Sequence, residues 1–538
     1  IALWAETELS DRIDEFSELI AGHLAAAVAY EEEFAVGDED ELRAIRQLAR
    51  DAASRAAQRA TDMSQMDSAG RWRKLELDLA SKLDVPTREI ARLTFAWADV
   101  AWETIEPAER EAVLAPAIAE LEELDDRTAD DDQLLAQLRD HRSNALYDAG
   151  DVEGARRLAR DGIAALEPGP PTSGRALLLG RLGWTYWRAG PIEDSLPLLE
   201  RALAEARASG SPDIERWVMH DLGVANSFLD RVDRAVDLLE ESYRLAREAG
   251  DRALLMRCYI NLPAVRQRRG DPTAPLAEMI DEGLGLARRS AASNTVAWLA
   301  CNQGAFLTEA GRFDEALAYQ DEGIAQLRIL NAVRLSTQLR LRAWLHWLRG
   351  DEQAARSDIE EAERAQSETE PQTAEAAPVS RAWLAWATDP RGAMTGLHAW
   401  MTANPTLLGS PSGVAQELAR MAMRLGDKAV VMHAVAVYRE RHPTIDAPIY
   451  AARARWMEAL VAGDHRPLEG VALVFEEAGY PIYAVDALAD AAILAARAGI
   501  PSDAEQRALG LCRDMGMHPV LGSLPETRWL VLGSVPAD

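Results

Sequence analysis

The sequence predicts an all-α protein, an α-solenoid of about nine to eleven helical hairpins. Three observations predict it. Strong helix formers (Ala, Leu, Glu and Arg) fill most segments, and apolar residues recur at spacings of three and four, as at Leu198, Leu199, Leu203 and Ala206. Alternating β-branched runs bounded by turn residues are almost absent, so no real sheet is expected. A short helix-breaking turn also recurs with a period near forty residues.

The period sets out the elements in order. Gly150, Gly190, Asp230, Gly270, Gly311 and Gly350 lie 40, 40, 40, 41 and 39 residues apart, each followed by a short polar stretch and a new helix. Five residues after each marker stands a small or compact residue: Ala155, Ser195, Ala235, Pro275, Ala316 and Ala355. Seven residues before it stand Ser143, Gly183, Gly223, Gly304 and Ala343, with Pro263 in one copy. Small side chains at both places let the two helices of a hairpin approach closely, and such hairpins bury a core by stacking on their neighbours. The phase continues through Asp389, Gly426, Gly463 and Gly499, and backwards to the Pro107 and Gly70 regions. The best internal break is the stretch NPTLLGSPSG at 404–413. The acidic segments 31–33, 38–41 and 125–132 read as solvated turns or helix starts.

Composition narrows the function. The 538 residues carry a formal charge of −30, with 58 Lys and Arg against 88 Asp and Glu. So acidic a surface disfavours general nucleic-acid binding, which needs clustered cations. Three cysteines exclude a disulfide framework, and Cys258, Cys301 and Cys512 read as small buried hydrophobes. No apolar run is long enough to span a membrane and no signal peptide is visible, so a reducing, cytoplasmic setting is expected. The chain starts at Ile1 and its first methionine is Met63, which is expected of a fragment or a processed product.

The segments RLGWTYWRAGPIEDSLPLLERALAEA and DLGVANSFLDRVDRAVDLLEESYRLA resemble tetratricopeptide (TPR) repeats: they carry the Leu-Gly pair, the turn residue and the small residue of the second helix. The resemblance covers 40–516. The forty-residue spacing is similar to that of the long-helix TPR sensor regions of large bacterial signalling ATPases, among them LuxR-type regulators and class III adenylate cyclase–ATPase fusions. The opening ELSDRIDEFSELIAGHLAAAVAYEEEF resembles the segment after the ATPase module of those fusions, and AVDALADAAILAARAGIPSDAEQRALGLCRDMG resembles their last repeat. The organisation implied is a helical segment at 1–36 following an absent upstream ATPase module, a TPR-like superhelix at 37–403, and further repeats at 404–538.

Catalytic signatures are missing. There is no phosphate-binding G-x-x-x-x-G-K-[ST], no H-E-x-x-H, no C-x-x-C and no EF-hand loop. GSPSG has a proline where a nucleophile elbow needs serine, and Gly283-Leu-Gly285 is too short for a dinucleotide fingerprint. The nine histidines show no ligand spacing; His433 and His442 fall on opposite faces of any single helix. No enzyme activity, cofactor or metal is therefore expected of this chain.

Tryptophan carries the positive signal. Trp184 and Trp187, Trp344 and Trp347, and Trp383 and Trp386 lie six and three residues before Gly190, Gly350 and Asp389. Trp217 and Trp298 lie thirteen before Asp230 and Gly311. Eight of fifteen tryptophans thus occupy three repeat phases, spaced seven and three apart on one helix face. The TPR resemblance implies that this face lines the concave groove, with His220 and Arg257 among its polar members and Arg188, Arg268 and Arg340 nearby. One reading is an aromatic groove gripping a peptide, a helix or an apolar effector, since Trp and Arg are enriched at binding hot spots. The other is that the indoles fill space between long first helices of adjacent repeats. From Arg252 to Gly350 there are 13 Arg against 9 Asp and Glu, a mildly basic stretch suited to an anionic ligand or acidic partner.

The expected function is that of a non-catalytic sensor. A protein, peptide or small effector binds the groove and regulates an upstream ATPase and output domain in the same polypeptide, an adenylate cyclase or a transcription regulator. The alternative is a stand-alone scaffold for protein assembly.

Overall fold

A computed structural model describes residues 15–34, 38–63, 65–101, 105–229, 231–289, 293–329, 335–365, 376–386, 388–404, 413–441 and 448–518, together with Trp4 and Ile13. The described residues hold long helices and no strand. After α1 (Ser17–Phe34) come twelve hairpins. They are α2 (Glu39–Asp62) with α3 (Met66–Ser81), α4 (Thr87–Ala101) with α5 (Pro107–Glu122), α6 (Ala129–Asp148) with α7 (Val152–Ala165), and α8 (Ser173–Ala189) with α9 (Ile192–Ala208). Next are α10 (Pro212–Phe228) with α11 (Val232–Ala249), α12 (Arg252–Arg269) with α13 (Thr273–Arg289), α14 (Ser293–Glu309) with α15 (Phe313–Ile329), and α16 (Leu335–Leu348) with α17 (Glu352–Arg364). The last four are α18 (Ala376–Trp386) with α19 (Pro390–Ala403), α20 (Gly413–Leu425) with α21 (Lys428–Arg441), α22 (Pro448–Ala462) with α23 (Arg466–Glu477), and α24 (Pro481–Ala498) with α25 (Ala504–Met515). The predicted break at 404–413 and the residues beyond 518 lie largely outside the described residues, as does the marker Asp230.

The marker glycines end the first helices. Gly150, Gly270, Gly311, Gly350, Gly426, Gly463 and Gly499 all have positive φ, the left-handed conformation that caps a helix without a Cβ penalty. The N–H of the residue after the marker then bonds back to a first-helix carbonyl five residues earlier: Asp151 to Leu146 at 2.9 Å, Arg312 to Leu307 at 2.8 Å, Asp351 to His346 at 2.9 Å. Arg231 closes on Asn226 in the same way at 3.0 Å. Gly190 departs from the series with an extended φ of −162°. The next residue is Pro191, which has no N–H to make the closing bond. Arg156 replaces it: its Nη2 donates to the carbonyls of Thr185 and Ala189 at 3.1 and 3.0 Å.

The close approach expected of the small residues is present. A Cβ on Gly183, Gly223 or Gly304 would lie 2.7, 2.8 or 2.6 Å from Leu199, Leu239 or Gln320, in each case sixteen residues later on the second helix. Ala155, Ser195, Ala235, Ala316 and Ala355 are fully buried opposite them. Pro275 differs: it is exposed, and Leu276 turns inward in its place.

The chain divides into two compact units. The first comprises Ile1–Gly190, Asp194–Val218 and Arg288–Ala292; the second comprises Pro191–Glu193, Met219–Ala287 and Ser293–Asp538. The first unit has separate small cores, one around Ile20, Leu24 and Leu79, another around Trp97, Leu114 and Leu138. The second holds a large core running from Leu307 through Trp347, Trp386 and Trp456 to Met517, beside small ones around Cys301 and Leu339.

Contacts in the second unit go beyond stacking of neighbours. α12 packs on α22, and α14 on α24. Tyr483 Oη donates to Glu309 Oε1 at 2.6 Å, and Gln267 also donates to the Glu309 carboxylate. Arg453 lies 4.7 Å over the Tyr483 ring. The turn at Gly270 meets Pro448 and Ile449, Gly311 meets Met515, and Gly350 meets His518, whose N–H donates to Leu348 O at 2.9 Å. Three successive repeat turns are thus braced by residues between 448 and 518.

Candidate functional site

In the first unit, Trp184, Trp187 and Arg188 come together on α8. Trp184 and Trp187 are edge-to-face, centroids 6.5 Å apart, and both are buried, at 5% and 6% exposure. Tyr147, on the preceding first helix α6, meets Trp184 at 4.6 Å. The Arg188 guanidinium lies between 5.3 and 5.6 Å from the Tyr147, Trp184 and Trp187 rings, and Arg181 lies 4.8 Å over Trp184. Arg181 is held by both oxygens of Asp140 at 2.7 and 2.8 Å. The cluster joins α6 to α8, and its cation–π contacts are desolvated enough to count in packing. Trp217, further along in this unit, is half-buried.

Tyr147 was legible but not singled out. It stands three residues before Gly150, the phase of Trp187 and Trp347, and a search for any aromatic at that phase finds it.

In the second unit, His220 is buried between two polar partners. Asn261 Nδ2 lies 3.1 Å from its Nε2 and Asp221 Oδ1 lies 3.1 Å from its Nδ1. An amide N–H can only donate, so Nε2 accepts and Nδ1 carries the proton offered to Asp221. Arg257 is half-buried, and its carbonyl accepts a bond from Asn261 at 3.1 Å. Arg268 donates to Ser227 O at 2.9 Å and lies 5.5 Å over Phe228. His220, through Asn261, and Arg268 therefore link α10 to α12, whereas the Arg257 bond stays within α12.

The remaining indoles divide by exposure. Trp347 and Trp386 are buried in the large core, at 5% and 3% exposure. Trp298, Trp344 and Trp383 are half-buried, on three successive first helices, α14, α16 and α18. Trp383 Nε1 points at Glu417 Oε2, 3.5 Å away. Arg340, one turn before Trp344, is only 4% exposed.

Two groupings in this unit had no sequence signal. A cleft of about 430 Å³ is lined by Thr273, Phe306, Leu307, Ala310, Pro481 and Leu511 among others, beside Glu309. Burial raises the Glu309 carboxyl above the usual glutamate range, against the opposing hydrogen bonds from Tyr483 and Gln267. His398 Nε2 and His433 Nδ1 meet at 2.7 Å across α19 and α21, thirty-five residues apart; His442 lies outside the described residues. Among the described residues no three His, Cys, Asp or Glu side chains form a group able to hold a metal ion.

The three cysteines are buried, and burial pushes each thiol up to about 12. Among the described residues no helix is long and apolar enough to cross a membrane.

No curated protein matches the sequence. Among solved structures the chain is similar to the apo form of the quorum sensor NprR from B. thuringiensis, at 13% identity and a TM-score of 0.47, over 65% of this chain and 99% of that one. It is similar to a Rap protein complexed with Competence and Sporulation Factor, at 10% identity and a TM-score of 0.43, over 70% and 99%. It is also similar to a Signal Transduction ATPase with Numerous Domains (STAND) protein with a tetratricopeptide repeat sensor from Pyrococcus horikoshii, at 13% identity and a TM-score of 0.37, over 61% of this chain and 53% of that one. The family model that matches is the tetratricopeptide repeat, over residues 174–248, the stretch that contains Trp184, Trp187 and Trp217.

Proposed function

We propose that this chain is a non-catalytic, TPR-like interaction region whose first-helix faces receive a protein, a peptide or a small effector. The observation that supports the reading is the row of half-buried indoles, Trp298, Trp344 and Trp383, on three successive first helices of the second unit. Rigid aromatic surface of this kind contributes contact area at little entropic cost and is typical of binding hot spots. The buried Trp347 and Trp386 anchor two of the helices that present it, α16 and α18. In the finer form of the proposal, the chain is the sensor of a larger signalling polypeptide. Occupancy then biases an ATPase and an output domain, a cyclase or a transcription regulator, as the resemblance of the opening segment implies. That coupling requires the ligand to favour one state over the other. A stand-alone scaffold would bind with no linked change.

The test is selection of a displayed random-peptide library on the chain, followed by titration of the enriched peptides against Trp298→Ala, Trp344→Ala and Trp383→Ala. Removing a contacting indole is expected to weaken binding by tenfold or more, in line with hot-spot truncations of about 2 kcal/mol. Absence of any enriched peptide, or unchanged affinity in all three variants, refutes the groove.

A further inference from the structure

Arg340 lies on α16 one turn before Trp344 and two turns before Trp347. Its side chain is 4% exposed. Both terminal guanidinium nitrogens are shut off from solvent and, among the described residues, make no hydrogen bond, ion pair or ring contact. No other arginine among the described residues is left so. Arg110 reaches Asp148 and Asn144, Arg156 reaches Glu153 and two carbonyls, Arg175 reaches Glu205, and Arg420 reaches Asp486 and Asp490. Arg453 lies over tyrosine rings.

The charges that act on Arg340 are Arg381 and Glu363. They pair with each other at 2.8 Å, so the acid is already engaged. Arginine cannot lose its proton at any ordinary pH, and a buried charge with no counter-charge is among the costliest features a fold can keep. Among the described residues its neighbourhood is short of one negative charge.

We propose that Arg340 is the anchor for a single carboxylate of whatever occupies the first-helix face of the second unit. The inference rests on the groove reading above and specifies the chemistry of its ligand. A planar guanidinium fork matches a carboxylate bidentately. One monoanion restores neutrality, whereas a phosphate dianion would bring an excess charge that the already paired Arg381 does not meet. The half-buried Trp344 beside it gives the carboxylate an apolar companion, so the group recognised is an acid carried on an apolar or aromatic side. Because both nitrogens are closed off, a neighbouring side chain has to give way as the acid enters, which ties pairing to occupancy. Two sources supply this chemistry: an acidic side chain within a peptide, or a chain-terminal carboxylate.

The test measures the thermal midpoint of the full 538-residue chain with four probes. They are N-acetyl-tryptophan, its carboxamide, N-acetyl-glutamic acid α-amide and inorganic phosphate, each at millimolar concentration. The proposal expects N-acetyl-tryptophan or the glutamic acid α-amide to raise the midpoint and the carboxamide to leave it unchanged. The response assigns the acid to a chain terminus or to a side chain. The shift is lost in Arg340→Met and reduced in Arg340→Lys, which keeps the charge and loses the fork. Without ligand, Arg340→Met is expected to melt at or above the wild-type temperature, because it removes an uncompensated charge. A fall of several degrees in that variant means that the guanidinium is paired within the chain, and overturns the proposal. An equal effect of the carboxamide, or a response to phosphate alone, also overturns it. If library peptides bind wild type and Arg340→Met equally, the groove stands and the carboxylate anchor falls; if no peptide binds either, the groove itself falls.

Discussion

Asp490→Ala is the sharpest perturbation of the second unit. Asp490 is fully buried on α24 and accepts three bonds: from Arg420 Nε at 3.1 Å, from Arg424 Nη2 at 2.6 Å and from Trp456 Nε1 at 2.9 Å. Asp486 also holds Arg420, at 2.8 and 3.1 Å, so Arg420 keeps a counter-charge when Asp490 is removed. Arg424 has no second carboxylate within bonding distance among the described residues, and burial already pulls its guanidinium down to about 10. The variant therefore leaves one buried cation uncompensated and one indole N–H without its acceptor. Breaking a buried pair on one side costs about 3–5 kcal/mol. Stacked repeats can open segment by segment, so the loss is best located along the chain. Native-state hydrogen exchange resolved by segment is the suitable assay. Protection is expected to fall in 413–441 and 448–515, while α6 and α7 in the first unit keep theirs. Glu458→Ala, which removes the exposed pair with Arg439, is the control and should cost about 0.5 kcal/mol or less. A loss below about 1 kcal/mol for Asp490→Ala, by the same one-sided-pair argument, would refute the claim that this ion cluster holds α20, α22 and α24 together.

Three further outcomes follow from the geometry. Gly304→Ala drives a methyl to within 2.6 Å of Gln320 and 3.0 Å of Ala316 O, so it is expected to cost about 1–3 kcal/mol by denaturant titration, while Gly396→Ala, with open space around it, is tolerated. Glu309 has its carboxyl raised by burial, so its favourable contribution is full below the ordinary glutamate pKa and is lost as pH rises through the elevated one. Wild type should lose stability relative to Glu309→Gln over that rise, and parallel pH profiles would contradict it. Cys258, Cys301 and Cys512, with thiols pushed up to about 12 and no exposure, should resist a maleimide reagent at pH 8 until the chain is unfolded.

The hairpin architecture was legible because it is written locally. Gly311 and Gly350 mark turns since only glycine adopts their positive φ freely, and Gly223 and Gly304 mark crossings since any Cβ would strike the facing helix. The same local logic explains Gly190, once Pro191 is seen to lack the donor. What a one-dimensional period cannot carry is contact between repeats far apart in the chain. Glu309 and Tyr483 are 174 residues apart, and neither stands at a recurring phase. The pairing of His398 with His433 was hidden for a related reason: each is ordinary on its own helix, and only the stacking of α19 on α21 brings them together. Exposure of an indole also depends on the neighbouring helix, which is why Trp344 and Trp347, three residues apart, differ.

The bracing of the Gly270, Gly311 and Gly350 turns by residues between 448 and 518 has a kinetic consequence. An array held only by adjacent layers can begin to fold anywhere and grow outward as it leaves the ribosome. Here the middle layers gain their full set of partners only after residues 448–518 have emerged, so the second unit ripens late. Its slowest step should be loop closure over a long stretch of chain, not helix formation. Deleting residues 515–518 would then loosen the turns at Gly350 and Gly311, 168 and 204 positions upstream of His518 and Met515, before it disturbed anything nearer the N-terminus.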